Sequence, residues 1–167
     1  MRPKTMWATL LCISVLGTVA GANDSDTERA SLAGLSSISV VVEDLAAVAG
    51  RSGLTVSAIQ ADVERRLIQA GIVVTSDSDA YLYIHVTVAD PGGTLPIPYG
   101  VEVSLRQEVT LPRGLKTRTP LQSATWWVSS LGLSGADLLR ASVNGKVAQF
   151  ADNFVRAYRS VNPAAPR

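Results

Sequence analysis

The sequence predicts an α+β domain: one mostly antiparallel sheet of four to five strands with two helices on one face, in the order β-α-β-β-β-β-α. Two apolar stripes and one strict alternation carry this. Val56, Ile59, Val63, Leu67 and Ala70 recur at steps of three and four, as do Leu139, Val143, Val147, Phe150, Phe154, Tyr158 and Val161. Such steps put residues on one side of an α-helix. Between the two stripes, Leu82, Ile84, Val86 and Val88 alternate with Tyr81, Tyr83, His85 and Thr87, the period-two pattern of a strand with two different faces. Two amphipathic helices need an apolar surface to cover, and alternating strands supply it.

The first 22 residues read as a secretory signal. Arg2 and Lys4 give a basic start, Trp7–Ala20 is apolar, and Ala20-Gly21-Ala22 is a small-x-small site that places cleavage after Ala22. The apolar stretch is shorter than the roughly 20 residues a membrane span needs. Cys12, the one cysteine, lies inside it and leaves with it, so the remaining chain carries no thiol. Polar, small residues 23–34 are expected to form a flexible leader, residues 35–162 a single domain, and residues 163–167 a tail.

Within the domain, Ile38, Val40 and Val42 mark a first strand. The first helix follows, with Thr55 as N-cap, Leu54 and Ile59 as its hydrophobic staple, and Gly71 as its left-handed stop. Residues 72–75 suggest a short strand and Ser76–Asp79 a turn. The alternating strand from Tyr81 comes next, then a Pro- and Gly-rich loop over 90–98. Val101, Val103 and Leu105 alternate with Glu102, Ser104 and Arg106 in another strand. A basic loop with Arg113, Lys116 and Arg118 leads to the last strand, from Leu121. The closing helix, roughly 135–161, is expected to be capped by Ser134 and ended before Pro163.

The adjacent Trp126 and Trp127 fall in the last strand, where neighbours face opposite ways. Trp126 shares a parity with Val128 and is expected under the helices. Trp127 shares one with Ser129, and with Thr125 it is expected on the other face, beside the tyrosines.

The run from the glycine at the helix end through Ile72–Val88, with an aspartate-alanine pair opening the long strand, resembles the amino-terminal domain of TolB and related domains of envelope-assembly lipoproteins. It is also similar to a loose group of exported bacterial proteins. The resemblance covers nearly the whole exported chain as patterning, and implies a small α/β domain that serves as a binding module in the cell envelope.

Composition narrows the chemistry. Without Arg2 and Lys4, 13 of the 15 basic residues stand against 14 acidic ones. That balance lacks the basic field a dedicated nucleic-acid binder needs. With one histidine and no exported cysteine, neither a transition-metal site nor a thiol nucleophile is expected. No nucleophile elbow, zinc-protease or phosphate-loop motif is present, so no catalytic residue and no cofactor are assigned. What remains is binding. Tyr81, Tyr83, His85, Arg106 and Trp127 gather on the face away from the helices, and aromatics mixed with arginine are common in interfaces. That face is either an open contact surface or a second, minor core. Arg113, Lys116 and Arg118 are a weaker candidate, for an anion. The expectation is an exported, periplasmic or secreted, non-enzymatic module that binds another envelope protein or itself as a homodimer, touching the membrane only through its signal. The alternative is a small-molecule or lipid carrier with a cavity between sheet and helices.

Overall fold

The computed structural model describes residues 22–89, 96–110 and 121–163. The signal sequence before Ala22, most of the 90–98 loop and the basic loop with Arg113, Lys116 and Arg118 lie outside them. A mixed sheet of five strands forms in the order β1-β5-β4-β3-β2. Its members are β1 (Ala22–Asn23), β2 (Ser39–Val42), β3 (Tyr81–Val88), β4 (Ile97–Val109) and β5 (Leu121–Ser134). β3, β4 and β5 make an antiparallel meander, β1 pairs antiparallel with β5, and only β2–β3 is parallel. That parallel pair is joined by a crossover through the short α2 (Ala47–Arg51) and the longer α3 (Val56–Gln69). The chain closes with α4 (Leu139–Val161).

The expected caps of α3 are present. Thr55 accepts a bond from the Ala58 N–H at 3.2 Å, and Gly71 turns the chain out with φ at 84°. Ile59, Val63 and Leu67 bury their side chains. So do Leu139, Val143, Val147, Phe150 and Phe154 of α4. Both helices cover one face of the sheet, and Arg66 ties them together by reaching from Asp62 on its own helix to Asp152 on α4, 3.1 Å away. The core between the layers is closed: Leu82, Ile84, Val103, Leu105, Trp126 and Phe154 are fully buried.

Three expectations change. Residues 72–75 give no strand; Val74 makes a single parallel bridge with Ile38, because the chain turns away at Ser76–Asp77. The order of main elements is therefore one strand shorter after α3. Residues 23–34 do not form a loose leader. They carry the end of β1 and a short helix, α1 (Asp26–Ala30), closed by a reciprocal capping box between Ser25 and Glu28. Leu32 beyond it is fully buried in the core. A polar run hides this helix from a hydrophobicity reading, since its order rests on side-chain bonds. Finally, Ser134 does not cap α4. It ends β5, a turn intervenes, and the helix starts at Leu139 without a side-chain cap; the Ser134 hydroxyl instead meets that of Ser142 at 3.0 Å.

Candidate functional site

The candidate site is the sheet face away from the helices, and the strand register sets its rows. Tyr81 lies opposite Arg106, Tyr83 opposite Ser104, and His85 opposite Glu102. The rows extend into β5, with Ser104 opposite Trp127 and Glu102 opposite Ser129. All five residues expected here, Tyr81, Tyr83, His85, Arg106 and Trp127, therefore share one face, each partly exposed. Thr125 departs from the expected parity. A bulge between Leu105 and Arg106 makes Ala124 the partner of Arg106 and leaves Thr125 unpaired. The Thr125 hydroxyl accepts a bond from the Gln107 amide, which also donates to the Ser31 carbonyl beside α1.

The side chains on this face touch one another. The Arg106 guanidinium lies 4.0 Å from the centre of the Tyr83 ring, a cation–π contact. Tyr81 meets Tyr83 edge-on, with ring centres 6.5 Å apart. Ser104 sits in the trough between Tyr83 and Trp127, fully buried although it belongs to the outer face. Its Oγ and Arg106 Nε are buried without a hydrogen-bond partner among the described residues. Buried polar atoms are normally paired, so two orphans in adjacent rows are unusual.

Sequence reasoning missed Glu43. The residue follows β2, and its N–H bonds to the Ile84 carbonyl, extending the parallel pairing by one step. Val41 is opposite Tyr83, so Glu43, two residues on, falls beside His85 on the same face. Its carboxylate accepts the Tyr83 hydroxyl proton in a hydrogen bond and meets His85 Nδ1 at 2.5 Å. These bonds, the tyrosine's first and the histidine's second, hold the Glu43 carboxyl below the usual glutamate range. The same bond raises the Tyr83 phenol above its ordinary value. The signal was available in the alternation of Val41 and Glu43, but only once β2 is known to neighbour β3.

On its other side, His85 Nε2 meets Thr87 Oγ1 at 2.9 Å. Hydroxyl, imidazole and carboxylate thus stand in the order of a nucleophilic triad. Thr87 lies in regular strand opposite Gly100, and no non-glycine residue among those described has a positive φ, so there is no strained elbow presenting the hydroxyl. No cluster of three metal-ligating side chains occurs among the described residues.

Past this polar half, the outer face turns apolar. Thr87, Ala89, Pro98, Gly100, Leu131 and Leu133 line an open groove of about 510 Å³, which Tyr99 and Gly132 complete. Tyr99 lies so close over Gly132 that a Cβ there would stand 2.6 Å from the ring. Leu131 is 89% and Leu133 66% exposed.

No family model matches the chain, and no curated protein does. Solved structures similar to it include a dodecamer of a PelC variant from Paraburkholderia phytofirmans, at 11% identity and TM-score 0.38, covering 74% of this chain and 86% of that one. A minor lipoprotein from Acinetobacter baumannii is similar at 10% identity and TM-score 0.37, over 76% of this chain and 94% of that one. A putative lipoprotein from Caulobacter crescentus is similar at 13% identity and TM-score 0.36, over 84% and 98%. None of these three is a TolB domain, and likenesses this loose carry no argument about function.

Proposed function

We propose that this chain is an exported, non-enzymatic binding module of the cell envelope whose contact surface is the outer face of the β3–β4–β5 sheet. Export rests on the basic start, the short apolar stretch and the small-x-small site before Asn23. No described helix is long and apolar enough to cross a membrane. One observation carries the binding role: Tyr81, Tyr83, His85, Arg106 and Trp127 stand in adjacent rows of one face, partly exposed, while the helices pack on the other. Arg106 also lies over the Tyr83 ring, so a cation and an aromatic face stand together within those rows. The partner best fitted is another envelope protein.

The carrier reading needs space between sheet and helices. That layer is filled by Trp126, Phe154, Leu82, Leu105 and their neighbours, all closed to solvent. The contact surface is therefore put on the outer face.

The test pairs Tyr83→Ala and Trp127→Ala with crosslinking in cells. Both variants should keep the wild-type circular dichroism spectrum, melt within a few degrees of wild type and lose the crosslinked adduct. Retention of the adduct in both, or loss of the fold in both, would remove the outer face as the contact surface.

A further inference from the structure

The two edges of the sheet are protected unequally. β2 forms one edge with four residues and runs straight into Glu43 and Asp44. Short, charged edges resist pairing with other chains. β5 forms the other edge with 14 residues, and β1 covers only Trp127 and Val128 of it. At the bulge, the Thr125 carbonyl accepts a bond from the Ser31 hydroxyl at 3.3 Å. On the side away from β4, Ser129–Ser134 has no partner strand among the described residues. No charged residue and no proline occurs from Leu121 to Ala136. Charge, proline and covering structure are the usual protections of an edge; this stretch carries neither of the first two, and none of the described residues covers it.

We infer that the Ser129–Ser134 edge of β5 pairs antiparallel with the same edge of a second copy of this chain, giving a two-fold dimer with one continuous sheet. The chemistry of the stretch is self-complementary. It lies between Trp127, which stands opposite Asn23, and the turn after Ser134, and its window, Ser129 to Gly135, is centred on Gly132. A two-fold axis at Gly132 sets Leu131 opposite the partner's Leu133, and Leu133 opposite the partner's Leu131. Both leucines lie on the outer face, two residues apart and largely exposed, so this register covers both at once. Directly opposed side chains in antiparallel strands have Cβ atoms about 5 Å apart, within contact for leucine. Farther out the edge meets Asn23, opposite Trp127, on one side and the turn after Ser134 on the other, so the pairing has a natural end. Identical uncharged edges bring no like charges together, and a closed two-fold contact uses both β5 edges, leaving only the short, charged β2 edges outward. The dimer goes beyond the proposed binding role, because it uses the edge and the two leucines rather than the Tyr83–Trp127 rows. It also sets two such faces side by side on one surface.

The test expresses the full chain in an exporting host and measures the mass of the purified product by sedimentation across a concentration series. The wild type should sediment at twice the monomer mass, and Leu131→Lys should halve it. Leu138→Lys, which charges an exposed leucine outside the strand, and Trp127→Ala should leave the doubled mass unchanged. Should Leu131→Lys lose its circular dichroism signal, register decides instead. Leu131→Cys mixed with Leu133→Cys should form a disulfide-linked dimer that neither forms alone. A wild type that stays monomeric throughout, a doubled mass that survives Leu131→Lys in a folded protein, or equal crosslinking in the single and mixed cysteine samples would each overturn the inference.

Discussion

On the inner face of the sheet, Leu82, Ile84, Val103, Leu105, Trp126 and Val128 are closed to solvent, while on the outer face Tyr81, Tyr83, His85, Glu102 and Trp127 stay partly exposed. The same three strands make both surfaces, and Trp126 and Trp127 divide between them. Trp126 meets Phe154 of α4 edge-on, with ring centres 5.3 Å apart, and its indole N–H bonds to Asp24 at 3.0 Å. Trp127 flanks the Ser104 trough. Inner side chains are chosen by shape against two helices; outer ones are placed by register and tied to one another by polar contacts. The first kind of residue should matter for stability and the second for contact with a partner.

The largest effect that would sharpen this contrast is Trp126→Ala. Deleting a fully buried tryptophan costs about 3–5 kcal/mol, and here it also strands Phe154 and Asp24. Denaturant unfolding monitored by circular dichroism should show a loss of that order. A loss below about 1 kcal/mol, typical of an exposed substitution, would contradict the inner-face assignment.

Next in size is Asp24→Asn. Asp24 takes two bonds from the Arg29 guanidinium, both 2.7 Å, besides the one from Trp126, and so fastens the α1 segment to the core. The Arg29 bonds hold its carboxyl below the usual aspartate range, with partial burial opposing and Trp126 assisting. Hydrogen bonds to charged groups are worth about 1.5–3 kcal/mol, less where solvent screens them, so about 1–2 kcal/mol is expected at neutral pH. A depressed carboxyl stabilises the fold above its unfolded pKa of about 3.9 and loses that contribution as pH falls through the lower folded value. The gap between wild type and variant should therefore close in acid. A gap independent of pH would show that the charge of Asp24 does not fasten α1.

The two faces were not equally legible in the sequence. Period and parity are local, and they placed β3, both long helices, Trp126 under the helices and the five outer-face residues correctly. Glu43, Thr125 and α1 depend on facts that no local pattern holds. Glu43 joins the site only because β2 pairs parallel with β3, Thr125 leaves it because of one bulge, and α1 is held by a bidentate ion pair and a capping box rather than an apolar stripe. Residues 72–75 erred the other way, since an apolar run had no neighbour to complete a ladder beyond the bridge at Val74.

Trp127→Ala should cost far less than Trp126→Ala, about 1 kcal/mol or below, the scale of a cross-strand pair on a half-exposed face. Measured in the same buffer, the two variants form a direct comparison, and equal losses would make the outer face a second core.

The smallest effect on stability is expected from Glu43→Gln, and it tests the polar wiring of the outer face. Glu43 is solvent-exposed, so its removal should barely move the unfolding midpoint at neutral pH. Because its carboxyl is depressed in the fold, whatever it contributes is present above the usual glutamate range and vanishes as pH falls through the folded value. The informative readout is Tyr83. Its phenol is raised first by the bond to Glu43, and a carboxylate beside a phenol also opposes formation of a second negative charge. Glu43→Gln should shift one tyrosine's ionisation toward lower pH, seen in the tyrosinate absorbance. The Tyr83→Phe variant should remove that same step from the titration. If Glu43→Gln leaves every tyrosine step in place, Glu43 does not hold Tyr83, and the outer face is a set of separate side chains rather than one connected surface.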